Sequence, residues 1–220
     1  MSKRNIFSFI RDLNRPVFTT HELCAVSGKS DSVVTQSLNY LEGQDMVFRI
    51  YRGLWGKTEN ERISPYSIVP FLFPRQRAYV SFVSALHIYG IIEQIPQTVT
   101  IASTSHTRTF RTKLGTFYAH QIAPSFFKGF DWYKGNGSFL IAEPEKALVD
   151  CFYLSSRRNK RFAHFPELHF SKNFSFKKAR SWANSISDAK IKANVLKKLK
   201  ALCSFSKEGS NTKGAQAKAR

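Results

Sequence analysis

Apolar positions recur at helical spacing from the start of the chain. Ile6, Phe9, Ile10 and Leu13 predict an amphipathic first helix, ended by Arg15-Pro16. Thr19-Thr20-His21-Glu22 then fits a capping box, with Thr19 as cap and Glu22 reaching back. The helix it opens carries Leu23, Val26 and Cys24 inward. Gly28 ends it, being able to take the left-handed conformation that a tight interhelix turn needs. A third helix starts near Asp31, with Val34, Leu38 and Leu41 on one face and Ser32, Thr35, Gln36, Asn39 and Tyr40 on the other. Val47–Ile50 and Leu54–Trp55 read as two short strands about a Tyr51-Arg52-Gly53 turn.

Three helices followed by a basic hairpin is the order of a winged helix-turn-helix, expected over residues 1–57. A polar linker follows over 58–65. Beyond it, "RAYVSFVSALHIYG" places Ala78, Phe82, Ala85, Leu86 and Tyr89 on one predicted helical stripe stopped by Gly90. Strand-like runs cover 98–102, 107–112 and 116–122. "DWYKGNGSFLIA" reads as a hairpin with Asn136-Gly137 suited to a type I′ turn. "AEPEKALVDCFYL" opens a helix with Pro144 at its first position and Ala147, Leu148, Cys151 and Phe152 facing inward. The expected class is α+β: the winged helix, then a mixed α+β domain over 66–204 with a basic helical C-terminus, and a disordered basic tail over 205–220.

Gly28-Lys29-Ser30 raises a nucleotide-binding alternative. The phosphate-binding loop G-x-x-x-x-G-K-S needs a second glycine where this chain has Leu23, and a preceding strand where it has helical spacing. The triplet is better read as the turn of a helix-turn-helix, with Lys29 or Ser30 placed to touch a phosphate. Ser32, Thr35, Gln36 and Asn39, with Tyr40 beside them, are the candidate base readers. Lys29, Arg49, Arg52 and Lys57 are the candidate phosphate contacts. A polar helix face also suits a protein-interaction module; the acid-free run from Ser32 to Leu41 and the hairpin arginines weigh toward DNA.

Charge sharpens the picture. The formal net charge is +19 over 220 residues. Residues 1–62 contribute +2, 63–155 contribute +3 and 156–220 contribute +14, so the polyanion signal lies in the C-terminal third. Arg157, Arg158, Lys160 and Arg161 form one cluster. Lys197, Lys198 and Lys200 lie on a later helix whose Ile191, Val195, Leu199 and Leu202 form an apolar stripe. That stripe fits packing on a domain better than lying on a membrane. The basic surface suits either a DNA clamp or an acidic or nucleic-acid-like partner site. Cys24, Cys151 and Cys203 have no partner spacing and read as buried free thiols in a reducing, cytoplasmic compartment. No run approaches the ~18 apolar residues of a membrane span.

No catalytic signature is found. Glu143, Glu145 and Lys146 lack the acid–x–lysine spacing of a metal-dependent nuclease, and capping plus a Lys146–Asp150 pair explains them better. The six histidines show no ligand spacing, and His87 reads as a core or rim residue. No cofactor, metal site or enzymatic activity is expected.

"YVSFVSALHIYGIIEQIPQTVTIAS", "LGTFYAHQIAPSFFKGF" and "FLIAEPEKALVDCFYL" resemble the antitoxin family of the abortive-infection AbiE system. The similarity runs over residues 5–155 and more loosely to 200. Its most telling blocks are Ser84–Gly90 and Ala142–Asp150. The resemblance implies a transcriptional repressor of a toxin–antitoxin operon in phage defence. Its winged helix would bind double-stranded DNA at an inverted repeat near its own promoter, in two or more copies. Its C-terminal antitoxicity domain would neutralise a cognate nucleotidyltransferase-fold toxin. The family's DNA-reading helix falls on Asp31–Leu41 and its wing on Val47–Trp55. Where winged helices commonly place glycine before the first wing strand, this chain has Asp45, which tolerates the left-handed conformation. The alternative is a stand-alone regulator whose C-terminal domain senses a ligand or protein.

Overall fold

The computed structural model describes residues 4–58, 63–135, 138–157, 162 and 167–216, with the backbone alone over 205–216. The chain is α+β. Its first part runs α1 (Ile6–Asp12), β1 (Val17–Thr19), α2 (Thr20–Ser27), α3 (Asp31–Gly43), β2 (Val47–Tyr51) and β3 (Leu54–Lys57). The three strands form one antiparallel sheet in the order β1-β3-β2.

Local signals place these boundaries. Thr19 Oγ1 accepts the Glu22 N–H at 3.1 Å, and the Glu22 carboxylate accepts the Thr19 N–H at 2.8 Å, so the box that opens α2 is complete. Gly28 closes it at φ 65°, and Asp45 takes φ 55° at the exit of α3. Spacing along the chain does not reveal strand β1. Its Val-Phe pair is too short to show periodicity, and its pairing with Trp55 and Gly56 lies far along the chain.

The small sheet contributes side chains to a core on each of its faces, and strand alternation sorts them. Phe18, Val47 and Trp55 join Ile6, Ile10, Leu23, Val34, Leu38 and Leu41 in a core beneath the three helices. Val17, Ile50 and Leu54 join the core of the second half instead. Gly56 allows this close approach, since a Cβ there would meet Phe48 Cζ at 2.7 Å and Ile63 Cδ1 at 2.9 Å. The Lys113 N–H donates to Ile50 O at 3.1 Å, continuing the contact along the β2 edge. The expected linker therefore joins halves that share apolar packing. Of that stretch, residues 59–62 lie outside the described residues, and Ile63 packs on the shared core.

The second half runs through a short 3-10 turn at Pro65–Ile68, then α4 (Val69–Leu72), β4 (Ala78–Val80), α5 (Phe82–Ile88), β5 (Val99–Ser103), β6 (Arg108–Thr112) and β7 (Gly115–Gln121). A second 3-10 turn, Pro124–Phe126, precedes β8 (Phe130–Trp132), β9 (Leu140–Ala142), α6 (Pro144–Ser155), α7 (Phe176–Asn184) and α8 (Ala189–Gln216). Its six strands form a mixed sheet in the order β6-β7-β5-β4-β9-β8, and α6 packs against α5, α7 and α8.

Several expectations are corrected. Ala78 does not lie on a helix: Ala78–Val80 is a strand pairing with Ser103, Ala102 and Ile101 on one side and Ile141 on the other. All three residues are buried, so sheet pairing overrides the helical spacing. Tyr89 caps α5 and is partly exposed rather than on its buried stripe. The β8–β9 hairpin forms, with Tyr133 N–H donating to Phe139 O at 2.9 Å, and the Asn136-Gly137 turn lies outside the described residues. Cys151 is buried, whereas Cys24 and Cys203 are only half-buried. Val26, read as inward, is 50 % exposed. Finally, α8 carries helical backbone to Gln216, into the segment whose composition reads as disordered.

Val195 and Leu199 are buried in the large core, so the basic amphipathic helix packs on α6 and α7. No helix among the described residues is long and apolar enough to cross a membrane.

Candidate nucleic-acid interface

The apolar spacing of Val34, Leu38 and Leu41 turns one face of α3 into the small core and the opposite face to solvent. Ser32, Gln36, Asn39 and Tyr40 are exposed there, Tyr40 at 69 %; Thr35 is half-buried at the edge. Ser30 is the N-cap of α3, with no side-chain capping bond to the helix backbone. Its hydroxyl lies 3.1 Å from that of Ser32, leaving two short polar side chains at the helix start. Lys29 is half-buried, its N–H 3.3 Å from Ser27 Oγ.

The hairpin brings Arg49 to the same face. Its Nη2 donates to Asn39 Oδ1 at 2.8 Å, and its guanidinium lies 4.7 Å from the Trp55 ring centroid. Stacking on an indole fixes the plane of an arginine while leaving donors free at its edge. Arg52 is exposed at the hairpin turn. Lys57 sits half-buried at the other end of β3, paired with Val47, and its N–H donates to Pro16 O at 3.0 Å. Arg52 and Lys57 thus occupy opposite ends of one strand pair rather than one patch.

Glu42 escaped the sequence reading. It accepts the Arg49 backbone N–H at 3.0 Å and faces Lys113 Nζ at 3.5 Å, linking α3, the hairpin and the second half. A carboxylate at a helix end reads as a solvated charge unless its distant partner is known, so nothing local flagged it.

Part of the expected basic surface is also assembled. Arg157, Lys197 and Lys198 line a groove of about 600 Å³ with Ser155, Ser156 and Asn194. Lys198 Nζ donates to Ser155 Oγ at 2.6 Å, and burial lowers its pKa. Lys200 is exposed outside that groove, and Arg158, Lys160 and Arg161 lie outside the described residues.

The residues weighed for nuclease chemistry hold helices together. Glu143 accepts from Trp182 Nε1 and Lys178 Nζ, both at 3.1 Å; Glu145 accepts the Ser175 N–H at 2.9 Å, tying α6 to α7. Lys146 turns inward to Asp150, which also accepts from Ser81 Oγ at 2.7 Å and Tyr79 OH at 3.1 Å. Lys146, Asp150, Ser81 and Tyr79 are fully buried, so no substrate reaches them. Burial pushes the Asp150 carboxyl up and the Lys146 ammonium down, each toward neutrality, against their mutual attraction. The sharp exit from β4 sits beside this cluster: Phe82 takes φ 55° and stacks on Phe162 with centroids 5.3 Å apart.

Among the described residues no group of three or more His, Cys, Asp or Glu side chains is placed to hold a metal ion. His87 Nδ1 lies 3.3 Å from Ile92 O at the rim of α5. No protein-family model matches the chain, and no curated protein matches it.

Proposed function

We propose that the chain is a DNA-binding regulator whose first 57 residues form a winged helix-turn-helix, with α3 entering the major groove of double-stranded DNA. The observation that carries this reading is the face of α3. It offers Ser32, Gln36, Asn39 and Tyr40 to solvent, and the adjacent hairpin holds Arg49 at Asn39. The order of three helices and the β1-β3-β2 sheet supports it. Gln and Asn amides pair with adenine edges, and arginine serves guanine or phosphate. Ser30, Lys29 and Arg52 would hold phosphates at the two ends of that face.

The resemblance to the AbiE antitoxin family extends the proposal. The chain would repress its own operon from an inverted repeat, in two or more copies. Its second half would neutralise a nucleotidyltransferase-fold toxin, and it would be no enzyme. The groove lined by Arg157, Lys197 and Lys198 supports an acidic partner surface on that half.

Two cell assays test the two parts. A reporter behind the DNA upstream of this gene should be repressed by the full chain and relieved by the paired substitution Gln36→Ala, Asn39→Ala. Co-expression should relieve toxicity of the adjacent reading frame, with or without that pair. A reporter indifferent to the chain would sink the DNA reading; an adjacent frame that never slows growth would remove the toxin.

A further inference from the structure

The seam between the two halves opens into a cleft of about 620 Å³, walled by the hairpin turn on one side and by β6 and the stretch after α4 on the other. Arg52, Arg75 and Arg108 reach it from three separate elements, and no acidic side chain is among the described residues that line it. None of the three forms an ion pair with a carboxylate among the described residues. The Arg108 guanidinium lies over two rings, 5.2 Å from the Phe73 centroid and 4.7 Å from that of Phe110. Phe73 and Phe110 meet edge-on at 5.3 Å, and Tyr51 meets Phe110 edge-on at 5.9 Å. Tyr51 is 37 % exposed, and Arg108 is exposed above its aromatic support.

Three like charges converging on one cleft repel each other, and an anion between them removes that cost. Guanidinium groups recognise phosphate oxygens through paired, charge-assisted hydrogen bonds. The exposed Tyr51 and the outward face of Arg108, whose other face is held by the buried Phe73 and Phe110, suit a second, planar group on the same ligand. The volume falls in the range of small-molecule sites. We infer that this cleft binds a phosphorylated aromatic small molecule of the nucleoside di- or triphosphate class, with its phosphates between Arg52 and Arg75 and its ring against Tyr51 and Arg108. The inference goes beyond DNA binding by α3; it shares only Arg52 with that reading, so a bound nucleotide and a DNA phosphate would compete for that one side chain.

Isothermal titration calorimetry on the full chain tests this, with ATP, GTP, adenosine and inorganic tripolyphosphate as probes. The expected result is one site per chain for ATP or GTP, with adenosine and tripolyphosphate each at least about tenfold weaker, the size of one lost charge-assisted hydrogen bond or stacking contact. Arg75→Gln removes an exposed side chain and should weaken nucleotide binding by about tenfold or more at unchanged melting temperature. Arg108→Gln should weaken it by a similar factor, with a small drop in melting temperature from the loss of its two ring contacts. No heat from either nucleotide at millimolar concentration would overturn the assignment. So would tripolyphosphate binding as tightly as ATP, which would mark an unselective anion patch. Nucleotide affinity unchanged in Arg75→Gln, with duplex DNA affinity lost, would also overturn it and assign the cleft to the DNA backbone.

Discussion

Arg49 donates to the side-chain oxygen of Asn39 across 2.8 Å, joining the hairpin and the exposed face of α3. The two side chains, each a candidate DNA contact, are therefore one unit, and each holds the other in place. In DNA titrations by fluorescence anisotropy, Arg49→Ala and Asn39→Ala should each weaken binding. The double variant should lose less than the sum, by about 0.5 kcal/mol or more, as for residues sharing a hydrogen bond. Strict additivity would mean that the bond is broken in the complex.

The buried pair of Lys146 and Asp150 makes a second prediction. Removing one partner strands a charge in a site with no exposure, so Lys146→Ala should destabilise by about 3–5 kcal/mol in urea unfolding. Lys146→Met combined with Asp150→Leu should recover much of that loss, because two apolar side chains leave no charge unpaired. A single variant costing under about 1 kcal/mol would mean that solvent enters the cluster.

Because Val17, Ile50 and Leu54 belong to the core of the second half, the first half should not behave as a free-standing unit. Leu54→Ala should cost about 2–5 kcal/mol, the range for truncating a buried leucine. It should lower a single cooperative unfolding transition of the whole chain. Two separate transitions, with only one of them moved, would contradict the shared core.

Thiol chemistry reports the same burial independently. Burial pushes the Cys151 thiol well above its ordinary pKa, while Cys24 and Cys203 are half-buried. With a thiol reagent at pH 8, Cys24 and Cys203 should label in the native protein, and Cys151 only on unfolding.

The start of α2 should be sensitive to acid. Burial would raise the Glu22 pKa, but the Thr19 N–H and hydroxyl and the Arg15 guanidinium outweigh it, and its pKa lies below the ordinary value of 4.5. A folded-state pKa below the unfolded one gives stability that is present above the unfolded value and lost as pH falls through the folded one. The wild-type melting temperature should therefore drop more between pH 6 and pH 3 than that of Glu22→Gln, measured by thermal unfolding.

What the sequence reveals and what it hides divide along the range of the interactions. Thr19 with Glu22, Gly28 and Asp45 act within a turn, and each was legible because its partner or its backbone need is local. The polar face of α3 follows from spacing alone. Ala78–Val80 read as helix because its strand partners, Ser103 and Ile141, lie far along the chain. Lys146–Asp150 was visible as a helical pair, yet its burial depends on α6 being covered from several sides. Glu42–Lys113 and the arginine cleft arise only where the two halves meet, so no local pattern marks them.

The central claim is that α3 reads a DNA sequence. The most direct measurement is a competition between a labelled fragment from upstream of this gene and an unlabelled scrambled duplex, at two salt concentrations, with the full chain and the Gln36→Ala, Asn39→Ala variant. The account predicts that the wild type prefers its own fragment and that the variant loses that preference while keeping salt-sensitive binding to both. An unchanged preference in the variant would contradict it.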